Sequence, residues 1–174
     1  MLTENANATG RIVLTLVGPD GEVKLYRVLK NLITDKGDEY HAKRIAAGVA
    51  PAAPSDVTKM TGMKLGTGTT AVAKSGAGAA LVTYLSGSNV AFATSYPTLT
   101  NLGGGLGWTV TYQTVFVPGV ATHAALTEAV IVNDSGTNAT SAAADTISRV
   151  VFTAIPKGAS DTLTIAWAHK QLGS

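Results

Sequence analysis

The stretch Trp108-Thr109-Val110-Thr111-Tyr112-Gln113-Thr114-Val115-Phe116 decides the reading of this chain. Trp, Val, Tyr and Phe stand on its even-numbered positions, whereas Thr and Gln dominate the odd ones. A strand sends successive side chains to opposite faces, so a period of two marks a β-strand with one buried face. Thr162-Leu163-Thr164-Ile165-Ala166-Trp167-Ala168 repeats the pattern near the C-terminus. Outward from these two, runs at 60–65, 81–85, 90–96, 126–132 and 147–155 are apolar or β-branched and of strand length. Gly87-Ser88-Asn89, the Gly-rich segment 101–107, Pro118-Gly119, Asn133-Asp134-Ser135-Gly136 and Pro156-Lys157-Gly158 separate them. Short strands divided by turn residues define a mainly β chain, expected to be an antiparallel β-sandwich of jelly-roll-like form.

Two local signals precede this series. Runs at 11–17 and 22–29 flank Gly18-Pro19-Asp20-Gly21, where Pro presets one turn position and Gly accepts a positive φ, so an N-terminal β-hairpin is expected over 11–30. Next, Thr34 is a candidate N-cap for a helix over about 35–47, with Asp35, Asp38 and Glu39 early, Lys43 and Arg44 late, and Gly48 placed to end it. Its apolar stripe of Ile33, Tyr40 and Ile45 is narrow, so the helix is expected to lie against the end of a sheet. Residues 31–174 then form the β-sandwich of a single domain, and 1–10 have no strand or turn pattern of their own.

Composition narrows the function. Of 174 residues, 14% are charged against about 25% in a typical domain, while 45% are hydrophobic, so the missing charge is replaced by Thr, Ser, Asn, Ala and Gly. The net charge of +2 excludes a disordered chain, and 13 Lys and Arg do not cluster along the sequence into a phosphate-binding patch. No apolar run has the length of a membrane span, and Met1-Leu2-Thr3-Glu4-Asn5 lacks the features of a signal peptide. Without cysteine there is no disulfide, thiolate metal site or cysteine nucleophile. After Lys74 the next charged residue is Glu128. Such a neutral stretch is either a Thr-coated β surface or a surface buried against other subunits, because interface cores are poor in charge.

Candidate chemistry is sparse. Gly66-Thr67-Gly68-Thr69-Thr70-Ala71 has the outline of a dinucleotide-binding turn, but that motif acts through a helix N-terminus, and 72–78 is a poor helix. A Gly/Thr loop at a strand end is the expectation. His41, His123 and His169 lie far apart and in no metal-ligand spacing. Glu128 interrupts an apolar strand and is expected to face outward or to be ion-paired. Tyr96, Trp108, Tyr112, Phe116, Phe152 and Trp167 are expected to fill the core, since a nucleic-acid platform would interleave them with Arg and Lys. No enzyme activity, cofactor, metal, nucleic acid, membrane or small-molecule partner is expected.

The phrases Asn31-Leu32-Ile33-Thr34-Asp35-Lys36-Gly37, Met63-Lys64-Leu65-Gly66-Thr67-Gly68-Thr69-Thr70, Ala125-Leu126-Thr127-Glu128-Ala129-Val130-Ile131 and Pro156-Lys157-Gly158-Ala159-Ser160-Asp161-Thr162-Leu163-Thr164-Ile165-Ala166-Trp167 follow one another in that order. In that order they resemble a group of small tailed-bacteriophage structural proteins, over about residues 29–168, with the first hairpin an addition. The chain departs from the pattern at Val130, where Gly is usual, and in the long Ala- and Ser-rich segment 137–144. The resemblance implies a capsid decoration or cement protein in the virion, assembled in the bacterial cytoplasm, with a tail or fibre-associated protein or a carbohydrate- or receptor-binding module as alternatives. Its implied partners are the major capsid protein and copies of itself, as a trimer. Leu2, Thr3 and Asn5, in an arm that orders on a neighbour, and Tyr96, Asn101, Leu102 and Trp108, around a Gly-rich loop, are the candidate contacts.

Overall fold

A computed structural model describes residues 9–46, 59–133 and 145–171. Leu2, Thr3, Asn5, Gly48 and the segment 137–144 lie outside them. The chain opens with β1 (Thr9–Val17) and β2 (Val23–Ile33), the expected hairpin. Gly21 N–H donates to Gly18 O (3.1 Å) at a φ of 84°, which an L side chain would strain. Helix α1 (Asp35–Ala46) follows. The Thr34 hydroxyl accepts the Gly37 N–H (3.0 Å), as an N-cap should, and also donates to Thr146 O (2.6 Å), fixing the helix start to a neighbouring strand.

The remaining strands are β3 (Met60–Gly66), β4 (Val90–Ala91), β5 (Thr98–Asn101), β6 (Trp108–Phe116), β7 (His123–Asn133), β8 (Thr146–Lys157) and β9 (Thr162–Gln171). All pairings are antiparallel, in the order β4-β3-β7-β8-β2-β1-β9-β6-β5. The mainly β fold, one α-helix among the described residues and the N-terminal hairpin are as expected. These pairings join into one curled nine-stranded sheet.

The joint between the two halves is short. β2 meets β8 only at Leu32↔Arg149 and Ile33↔Ser148. Past it the strands part, and the Arg27 guanidinium reaches across to donate to Thr153 O (2.6 Å). On the far side Ala93 N–H donates to Gln113 O (2.8 Å), and the Phe92 and Tyr112 rings pack at 5.2 Å. The sheet therefore wraps one apolar interior, in which Ile12, Leu14 and Leu16 of β1 meet Met63 and Leu65 of β3, Leu126 and Ile131 of β7, and Leu163, Ile165 and Trp167 of β9. The first hairpin is integral to this sheet, because β1 is flanked by β2 and β9 and supplies Ile12, Leu14 and Leu16 to the core.

Several expected strands change. Residues 81–85 make only an isolated bridge, Gly66↔Tyr84, and 90–96 yields only the two-residue β4. Between β3 and β4 the chain instead crosses the outer face of β7, where Leu81 and Tyr84 pack on Val130 and Val132 in a second small core. β7 is consequently buried on both faces from Leu126 onward, so its sequence shows no alternation.

Candidate contact surface

β6 carries its apolar side chains on the inner face, and the cover over that face runs out along the strand. Phe116 is fully buried, Tyr112 nearly so, and Trp108 is 46% exposed. Trp108, expected in the core, is therefore a surface residue. β5 pairs with β6 in the register Leu99↔Val110 and Asn101↔Trp108, which places Leu99 on the same face, 64% exposed. The connecting turn has positive φ at Gly103, Gly104, Gly105 and Gly107, and its Leu106 is 58% exposed. The Asn101 side chain accepts the Gly103 N–H (2.9 Å), and Leu102 N–H donates to Gly107 O (3.0 Å), so the turn is held from within.

β5 is also the last strand of the sheet, and its four residues are all exposed. Neither it nor the turn contains a charge. Natural edge strands are commonly blunted by charge, proline or bulges, which β5 lacks between Thr98 and Asn101. Four of the sequence-based contacts, Tyr96, Asn101, Leu102 and Trp108, fall in or beside this one hairpin.

The other notable side chains are structural. Glu128 and Arg149 stand on diagonal positions of the β7–β8 ladder, where Glu128 opposes Val151 and Val130 opposes Arg149. Both are fully buried and joined at 2.9 Å. Glu128 further accepts the N–H groups of Gly68 (2.9 Å), Thr83 (2.8 Å) and Val82 (3.2 Å), while Arg149 donates to Gly78 O (3.0 Å). The pair thus ties the 67–85 crossing to the sheet, and the Gly66–Ala71 stretch leads into this loop rather than into a helix. Arg149 escaped the sequence reading, although a lone base in Ser148-Arg149-Val150 mirrors the lone acid in Thr127-Glu128-Ala129 one strand earlier.

His41 and His169, distant in sequence, meet with ring centroids 5.6 Å apart, and Tyr112 lies 5.4 Å from His169. Burial, and then the neighbouring His41, push the His169 pKa down to about 3. His123 stays apart on β7 and accepts the Ala125 N–H at Nδ1 (3.0 Å). Among the described residues no group of three or more His, Asp or Glu is placed to hold a metal. No helix in the described residues is long and apolar enough to cross a membrane. Comparison with family models, curated proteins and solved structures finds no match for the chain.

Proposed function

We propose that the chain is a virion structural protein that decorates the outside of a bacteriophage head, holding the major capsid protein and copies of itself through the β5–β6 edge. One observation carries the reading: an uncharged edge strand continues the apolar inner face into solvent at Leu99, Leu106 and Trp108. Interface cores are poor in charge and rich in aromatics, and a free edge can accept a strand from another chain. The four phrases shared with small phage structural proteins support the same reading. So does the composition, since a cysteine-free, Thr- and Gly-rich β domain suits a part that adheres. The mechanism is avidity, in which modest neutral contacts repeated by symmetry, in a trimer on the lattice, hold a shell that no single contact would hold.

Co-sedimentation with purified heads tests the proposal. Wild-type protein pellets with heads, and Leu99→Lys leaves it in the supernatant with an unchanged melting temperature. Binding at the tail alone would move the protein to a tail or fibre role. A second reading rests on Trp108 exposed beside the polar Asn101, a pairing that suits a sugar ring. Glycan-array binding without head binding would replace the decoration role with a carbohydrate- or receptor-binding one.

A further inference from the structure

Across the opposite face of β1, β2, β6 and β9 lies a half-open groove of about 730 Å³. Arg11, Lys30 and Lys170 line it, together with the apolar Val28, Leu29 and Ala168. These three bases share a property that sets them apart from the other ten Lys and Arg. Among the described residues, Lys24, Lys36, Lys43, Lys74 and Arg149 pair with carboxylates. Arg27 and Lys157 donate to backbone carbonyls, Arg44 and Lys64 lie over tyrosine rings, and Lys59 is engaged as well. Among the described residues, Arg11, Lys30 and Lys170 alone have no hydrogen bond, ion pair or ring contact with one another or with the rest, and all three converge on one groove.

Register explains the convergence that the sequence hides. Arg11 faces Lys30 directly across the β1–β2 ladder and Ala168 across β1–β9, and Lys170 stands two residues beyond Ala168 on the same face. Like charges directly opposite each other on a sheet are unfavourable, so the Arg11–Lys30 pair costs stability unless something negative lies over it. Among the described residues no carboxylate lines the groove.

We infer that this groove binds an acidic peptide segment of a partner protein, in which carboxylates alternate with apolar side chains. The three cations supply charge complementarity, and the apolar side chains of Val28 and Ala168 take the side chains between the acids. Among the described residues the groove has no aromatic lining on which bases could stack, and three cations are few for a phosphate backbone, so polypeptide chemistry fits better than a single-stranded nucleic acid. The groove lies in the middle of the sheet rather than on its edge, so side chains recognise the segment and no strand is added. It opens on the sheet face opposite Leu99 and Trp108, with Thr109 of β6 in its lining, and does not depend on a role in a virion.

An amide NMR titration of the whole chain with capped hexaglutamate tests this, with a thymidine oligonucleotide of equal charge as the competing probe. Hexaglutamate is expected to shift the amides of 10–11, 28–30 and 168–170, with affinity falling about fivefold or more between low and physiological salt. The combined Arg11→Gln, Lys30→Gln and Lys170→Gln variant is expected to lose about tenfold in affinity while melting no lower than wild type, because a like-charge pair has been removed. If that variant misfolds, Lys30→Gln and Lys170→Gln singly carry the same comparison. Unchanged hexaglutamate binding by the variants, shifts confined to other residues, no binding at low salt, or tighter binding of the oligonucleotide would each overturn the inference.

Discussion

Replacing Glu128 with Gln keeps the shape of the side chain and removes its charge. In the native chain one carboxylate oxygen takes the N–H groups of Gly68 and Thr83, and the other takes Val82 N–H and two nitrogens of Arg149. Gln can still accept at the first position. At the second its NH₂ faces three donors, so Val82 and Arg149 lose their acceptor and the guanidinium is left buried without a counter-charge. Removing one partner of a buried pair costs about 3–5 kcal/mol, a large share of the roughly 5–15 kcal/mol of a whole domain. Urea unfolding should therefore show Glu128→Gln down by about 3–5 kcal/mol. Hydrogen exchange should accelerate first at Gly68, Val82 and Thr83, while amides of the β1–β9 ladder keep their protection. Arg149→Met should cost a similar amount alone, and the Glu128→Gln, Arg149→Met double variant should cost clearly less than the two single losses together. A Glu128→Gln loss below about 1 kcal/mol, or strict additivity in the double variant, would refute the view that this pair organises the 67–85 crossing.

Three further outcomes follow from the same structure. His169 has an ordinary pKa of 6.5 when unfolded and about 3 when folded, so its own contribution to stability is complete above pH 6.5 and is lost as the pH drops towards 3. The slope approaches about 1.4 kcal/mol per pH unit, and His169→Phe, facing Tyr112 and a His41 that burial also pushes down, should flatten it in urea midpoints measured across that range. Thr34→Ala removes both the cap on Gly37 N–H and the bond to Thr146 O, and should cost about 1–2 kcal/mol by thermal unfolding. Trp108→Ser should leave the melting temperature within about a degree or two of wild type, because the ring is half exposed, while weakening any self-association seen by sedimentation.

What the sequence made legible was local. The period of two in β6 and β9, the Gly-Pro-Asp-Gly turn and the Thr34 cap each depend on residues within a few positions of one another, and each appears where expected. The failures are non-local. The run 81–85 has strand chemistry, but the carboxylate of Glu128 takes the N–H groups that a ladder would have used. β5 is a four-residue Thr-Leu-Thr-Asn segment directly after Pro97, too short for its alternation to stand out. The bases that do not cluster along the chain gather in the groove only because β1, β2 and β9 are neighbours in the sheet. In the β5–β6 hairpin the loop was legible from its glycine content, whereas the exposure of Trp108, expected in the core, and of Leu99 required the fold and the register Leu99↔Val110.

The neutral stretch between Lys74 and Glu128 now divides in two. Its first part, through Leu85, crosses the outer face of β7 within the same chain, burying Gly78, Ala79 and Leu81 there while Val82 and Thr83 stay exposed. The β5–β6 hairpin is equally uncharged but open, and this half is the one assigned to contact with other chains. Cryo-electron microscopy of particles tests that assignment most directly. The account predicts density for this fold on the outer head lattice, with Leu99, Leu106 and Trp108 covered by the capsid protein or a second copy. Density only at the tail tip, or a head-bound protein with the β5–β6 edge facing solvent, would contradict it.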